Sequence, residues 1–433
     1  MIFSPLVNFE IWHYIIGMKR SYLFIVVLLL SGMTVSAQGV DMSFYTEELN
    51  NSETTVYGMV DILRAVKEGN FTGIGEFYDN AIKVYLHRLQ NHTSNQDRVA
   101  VEEAARLILR GLAAEKHAES APQVWQLIQY FDIANQLNDG YLMYEAVVAM
   151  AEMGAKNYAP HIAIYLESYN ERYNADLNFK SKMHLVMPGL VTALETFGDA
   201  VGVRPVFFAS IGWYDSDRRE IASNALVNIM NGLGDVIGHI IGEIITDHYN
   251  SPGIKYAAWQ QLLRTQSPNE TKARVAVSAL EASYSFVGTS RETQNILKEM
   301  RTSAIQTIRE LGIADDSVYP FLERTYREAF ETGSTDMETI VLVVRTLTAA
   351  KTDEAVALMT EFLRGLHSRR RSGPWGNIER DIMNIIIPAL ASTGTQSQTT
   401  IQLLTMISRS SMYTGAEQGW ARNALTQLNA SGR

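Results

Sequence analysis

The run RTSAIQTIRELG, residues 301–312, decides the fold. Ala304, Ile308 and Leu311 stand at i, i+4 and i+7, which on a helix places them on one stripe, and Gly312 follows as a terminator. Working outward in both directions, the same pattern returns. Upstream are Ala146, Met150, Met153 and Gly154; Leu190, Leu194, Phe197 and Gly198; Ala222, Leu226 and Ile229; and Ala258 with Leu262. Downstream are Val343, Leu347 and Ala350; Ile386, Leu390 and Gly394; and Ala421, Leu425 and Leu428. The copies recur roughly every 39 residues, the length of a two-helix repeat unit.

Between copies the sequence carries a turn and a second amphipathic run. After Gly154, Asn157 is positioned to cap a helix with Ile162, Ile164, Tyr165 and Leu166, and Pro160 falls in its first turn, where a missing N–H is harmless. After Gly312, Asp315 or Asp316 is placed to start a helix through Phe321, Leu322 and Tyr326. After Lys351, Asp353 is placed to cap Ala355–Leu366. Gly ending one helix and Asn or Asp starting the next is the grammar of a helix hairpin. The expectation is an all-α chain, with an irregular helical bundle as the competing arrangement.

With these residues in view, Arg301-x-x-Ala304-x-x-x-Ile308-x-x-Leu311-Gly312 resembles the second helix of HEAT repeats, in particular the short HEAT-like type of phycobilin lyases. Arg219, Ala222 and Leu226, and Lys255, Ala258 and Leu262, resemble it less fully; Met143, Met187, Ile340 and Met383 stand where that family has a basic residue. The resemblance implies an α-solenoid, a superhelix of about eight to nine antiparallel HEAT-like helix pairs, and partner binding without catalytic residues.

The resulting division assigns 141–433 to the repeat array and 58–140 to an N-terminal helical cap with the first irregular repeats. Val60–Val66 and Ile74–Leu89 are the helical runs of that cap, Val99–Leu112 stands one period before the first clear copy and reads as another repeat, and 38–57 is a polar, flexible lead-in. Met18-Lys19-Arg20, the apolar run Tyr22–Leu30 and the small residues Val35-Ser36-Ala37 have the three parts of a signal peptide, so 18–37 is the expected address and 1–17 an upstream extension from a misassigned start. Cleavage there predicts a periplasmic or secreted protein; an uncleaved anchor is the alternative.

Composition narrows the function classes. The formal net charge is −10, which repels phosphate backbones and argues against nucleic-acid binding. With no Cys, disulfides, thiolate metal sites, Cys nucleophiles and lipobox anchoring are excluded. After the signal, no second apolar run reaches the length of a membrane span.

Several polar groupings are weighed for chemistry. His239, Glu243 and Asp247, with His248 adjacent, have a metal-ligand spacing on a helix, against which stands a reading as solvated or capping residues. Asp215, Asp217 and Glu220 loosely suggest a Ca²⁺ loop, but lack its Gly and distal Glu and fit better as helix-capping acids. Gly232, Gly234 and Gly238 have the wrong spacing for a phosphate loop and read as a turn. No catalytic constellation or cofactor motif emerges. The most distinctive run is His367–Trp375, expected as an inter-helix loop in which Arg369, Arg370 and Arg371, beside an exposed Trp375, either grip a carboxylate- or phosphate-rich partner or pair with acids of the neighbouring repeat. Trp213, Tyr214 and Trp420, in or beside turns, are further contact anchors. The expected function is that of a non-catalytic scaffold or adaptor binding a protein of the cell envelope. The alternatives are a ligand- or cell-wall-polymer-binding solenoid, or an enzyme subunit.

Overall fold

The computed structural model describes residues 42–91, 97–133, 140–286, 290–312, 316–331, 335–373 and 375–431. Residues 1–17, the signal segment 18–37 and Asp315 therefore lie outside the described residues. Among the described residues there are 20 α-helices and no strand. They are α1 (Ser43–Asn50), α2 (Val56–Glu68), α3 (Gly75–Asn91), α4 (Arg98–Ala114), α5 (Ala121–Ile133), α6 (Tyr141–Glu152), α7 (Ala159–Glu171), α8 (Leu177–Phe197), α9 (Val203–Ile211) and α10 (Ser216–Gly232). There follow α11 (Val236–Thr246), α12 (Pro252–Leu263), α13 (Asn269–Ser285), α14 (Arg291–Leu311), α15 (Val318–Glu331), α16 (Met337–Ala350), α17 (Asp353–Ser372), α18 (Asn377–Thr393), α19 (Gln398–Arg409) and α20 (Gly415–Ser431). None of the described helices is long and apolar enough to cross a membrane.

The chain divides into two compact units at Ile108/Leu109, within α4. In the second unit α5 packs on α6. In the first unit, the expected lead-in over 38–57 contains α1, whose Leu49 is fully buried. The stretch looks too polar for a packed helix, but Arg88 of α3 supplies what it lacks. The Arg88 guanidinium donates to the carbonyls of Leu49 and Asn51, each at 3.1 Å, and so satisfies the open C-terminal end of α1. Thr55 caps α2 by accepting from the Gly58 N–H at 3.2 Å.

In the second unit the eight copies of the stripe fall on alternate helices, α6 to α20, with one helix between each pair of copies. Each even-numbered helix packs on the next even-numbered one throughout this series. The intervening helices do likewise in two runs, α7 on α9 and then α11 through α19, with α9 packing on α12. The stripe explains the rows: Ala146, Met150, Leu190, Leu194, Ala222, Leu226, Ala258, Leu262, Ala304, Val343, Leu347 and Ile386 are all fully buried. At about 25 cal/mol per Å² of apolar surface, this burial is what holds the helices together in a chain without disulfides. Leu311 and Ala350, at the ends of their copies, and Leu425, in the middle of its copy, are only half-buried.

Helix starts correct two expected caps. Asn157 lies in a 3₁₀ turn, Lys156–Tyr158, that leads into α7, so the turn rather than a side chain meets the first N–H groups. Thr352, not Asp353, caps α17, accepting from the Ala355 N–H at 3.2 Å; Asp353 is the first helical residue, where its charge still favours the helix dipole. The close packing of α11 on α13 depends on Gly238, where a Cβ would come within 2.6 Å of the Thr271 Cγ2.

Polar groups are also built into this apolar interior. Lys182 of α8 is 2% exposed, and its Nζ donates to the carbonyls of Phe131 at 3.0 Å and Asp132 at 2.7 Å, at the C-terminal end of α5. The Asp132 carboxylate completes the set at 3.2 Å. Desolvation holds the ammonium below the usual lysine range, with the Asp132 charge working the other way. Tyr165 and Tyr169 of α7 border the same carboxylate, and burial pushes both phenols far up.

Candidate functional site

The basic run is helical. α17 continues to Ser372, so residues 367–372 form its last turns rather than the expected loop, and the chain breaks only at Gly373. The physical reason lies in the residues themselves: Arg is a good helix former, and three cations in a last turn meet the negative end of the helix dipole.

Helical geometry then fans the side chains apart. Arg369 turns toward α15, its guanidinium 4.2 Å from the centroid of the Phe330 ring, with Glu379 at 3.9 Å. Arg370 turns the other way, its Nε donating to the Met412 carbonyl at 2.9 Å and its guanidinium lying 4.9 Å from the Trp375 ring. Arg371 is exposed. His367 shares a hydrogen bond of 2.7 Å with the Tyr413 hydroxyl; burial, with the Arg371 charge added, holds the imidazole below the usual histidine range. Trp375 is half-buried rather than exposed, because Arg370 covers one face and Tyr413 meets it edge-on at 6.1 Å. Its indole N–H is buried and without a hydrogen-bond partner among the described residues.

On the Arg369 side, α15 and α17 enclose an open cavity of about 660 Å³, within the range of ligand pockets. Its floor is aromatic: Tyr326 and Phe362 stack with centroids 3.7 Å apart, and Phe330 lies beside them. Its rim is charged in both signs, with Arg327 paired to Glu323, Arg364 paired to Glu361, and Glu331 exposed. Gly365 contributes no side chain to the wall, and a Cβ there would meet nothing within 4 Å.

No protein-family model matches the chain, and no curated protein matches its sequence.

The remaining candidates are structural in their contacts. His239 and Glu243 form an exposed pair at 3.2 Å, but Asp247 lies past the end of α11, accepting from the Tyr249 N–H at 2.9 Å and facing Arg204 at 3.9 Å. The three do not gather into a ligand set, and His248 is exposed. Asp215 caps α10, accepting from the Arg218 N–H at 3.0 Å, while Asp217 and Glu220 are exposed. That backbone hydrogen bond is the main cause holding the Asp215 carboxyl below the usual range. Gly234 takes the turn between α10 and α11 at φ +57°, and Gly238 is a packing glycine. Trp213 stacks on Tyr214 at 4.3 Å and donates to the Tyr169 carbonyl at 3.3 Å, whereas Trp420 lies half-buried within α20.

The cavity brings Arg369 together with residues that sequence reasoning did not connect to it. Tyr326 and Phe330 are one helical turn apart on α15, and Phe362 lies two turns before Arg369 on α17. The available signal was Gly365, a helix-breaking residue retained between Leu363 and Leu366 in an otherwise strong helical run.

Proposed function

We propose that α6–α20 form a HEAT-like α-solenoid whose role is to bind a protein partner, as a non-catalytic scaffold in the periplasm or cell envelope. The observation that carries this reading is the serial packing of the even-numbered helices. Paired helices stacked in this way share one core and leave long helix faces to solvent, which is how repeat arrays build binding surfaces. The end of α17 supports the choice of face, since Arg369, Arg371 and the aromatic cavity beside them combine residue types enriched at interface hot spots. The signal-like segment 18–37 supports the location.

The test is crosslinking and affinity capture of the chain from its native envelope, followed by the same capture with Arg369, Arg370 and Arg371 replaced by Glu. A single stoichiometric protein, lost with the charge reversal, supports the reading. Capture of glycan alone, or a partner retained unchanged by the reversed variant, overturns the function or the face respectively.

A further inference from the structure

The cavity between α15 and α17 holds two hydrogen-bonding groups that its own walls do not use. Tyr326 is 5% exposed, and its hydroxyl is buried without a partner among the described residues. A buried, unpaired hydroxyl is costly, and native structures rarely keep one without a use. Arg369 is the second group. Its side chain stacks on Phe330, its approach to Glu379 at 3.9 Å is too long for a hydrogen bond, and among the described residues it makes none. Both groups line the same cavity, and the Arg369 charge opposes the upward push of burial on the Tyr326 phenol.

Gly365 is the third observation. A glycine inside a helix is destabilising relative to alanine, and nothing in the packing of α17 requires it, since a Cβ there would point into open space. The space it leaves clear is the cavity itself.

We propose that this cavity binds a carboxylate of the protein partner, with Arg369 and the Tyr326 hydroxyl donating to its oxygens and an adjoining apolar side chain resting on Phe330 and Phe362. The walls carry charge of both signs. Glu323 and Glu361 are each paired to an arginine, Glu331 is exposed on the rim, and Arg369 has only the long ion pair to Glu379, which leaves its donors without a hydrogen bond among the described residues. One guanidinium and one hydroxyl match the two oxygens of a carboxylate, whereas a dianionic phosphate would bring twice the negative charge to a rim that already holds Glu331. The carboxylate belongs to a chain terminus or to an acidic side chain. Arg369, with its side chain 42% exposed, is the part free to move off Phe330 and admit it.

This inference rests on reading the α17 end as the docking face, and small probes separate the two. Binding to the purified chain is measured by calorimetry for three peptides. Acetyl-Gly-Leu-Phe with a free C-terminal acid tests the terminus, acetyl-Leu-Glu-Phe-amide tests the side chain, and acetyl-Gly-Leu-Phe-amide is the neutral reference; phenyl phosphate is the competing anion. One acidic peptide should bind saturably and at least tenfold more tightly than the neutral one. Tyr326→Phe should weaken it about tenfold while leaving the thermal midpoint unchanged or raised, because the hydroxyl has no structural partner to lose. Gly365→Leu, which projects a side chain into the cavity, should weaken binding at least tenfold with the helical spectrum intact. Equal binding of acidic and neutral peptides, no saturable binding of either acid, tighter binding of phenyl phosphate, or full affinity in Tyr326→Phe would each overturn the proposal. Peptide binding without protein capture would leave this site standing and remove the scaffold reading; capture without peptide binding would do the reverse.

Discussion

The α5–α8 and α15–α17 regions each place a cation against buried tyrosines, and they treat it in opposite ways. Lys182 is sealed from solvent and donates to two carbonyls and a carboxylate, so its hydrogen-bonding capacity is spent inside the protein. Arg369 is partly exposed, stacked on a ring, ion-paired to Glu379 only at 3.9 Å and hydrogen-bonded to nothing among the described residues, while the Tyr326 hydroxyl in the same cavity has no hydrogen-bond partner among them. Burial alone does not separate a structural polar group from a binding one; the separation is whether its donors are consumed. The same contrast holds for two glycines: Gly238 is squeezed against Thr271, and Gly365 faces empty space.

The largest expected effect tests what the regions share. Burial raises the phenols of Tyr165, Tyr169, Tyr214, Tyr256, Tyr284, Tyr319 and Tyr326, and that of Tyr413 to about 12. A phenol raised in the folded state keeps a proton that the unfolded chain releases, so its contribution is full below the ordinary tyrosine pKa and is lost as pH rises above it. Lys182 and Lys255, held low, act in the opposite sense, but the tyrosines outnumber them. Urea midpoints should therefore fall between pH 9 and pH 11; a rising or flat profile would show that the buried phenols do not control alkaline stability.

Lys182→Met comes next. It strands two carbonyls and the Asp132 carboxylate, a loss of about 3 kcal/mol, read from denaturant unfolding. A cost below about 1 kcal/mol would put Lys182 in the same class as Arg369. Gly238→Ala should cost about 1–3 kcal/mol through overpacking, since Thr271 is held by its hydrogen bond to Asp235 at 2.6 Å and cannot simply rotate away. Gly365→Ala should instead stabilise by about 0.5–1 kcal/mol. If both glycine variants shift the thermal midpoint in the same direction, the distinction between a packing glycine and a cavity glycine fails.

How far the sequence revealed this follows from the range of each interaction. The stripe of Ala304, Ile308 and Leu311 was legible because helix burial is periodic, and all eight copies fall on helices. The helices α2 and α3 were legible for the same reason, as amphipathic runs around Val60–Val66 and Ile74–Leu89. The caps at Asn157 and Asp353 were misplaced by a turn or a residue, because several neighbouring polar side chains compete for the same N–H groups. The 367–375 run reads as a loop when its charges and the Gly373-Pro374 pair are weighed, yet α17 persists because nothing before Gly373 stops it. α1 and Lys182 were out of reach. Each depends on a partner remote in sequence: Arg88 lies 39 residues from Leu49, and Lys182 lies 50 from Asp132. The cavity was hidden for a similar reason, since Tyr326 and Arg369 share no motif and meet only when α15 packs on α17.

The serial packing has a kinetic consequence. Every substantial helix–helix pairing joins helices no more than three apart along the chain. Low sequence separation between contacting segments speeds folding, because little loop entropy is lost before each contact forms. Each helix can thus find its neighbours as soon as they emerge from the machinery that makes or moves the chain, without waiting for the far end. Loss of α19 and α20 by truncation would expose the faces of α17 and α18 on which they pack, while the earlier helices would keep nearly all of their contacts.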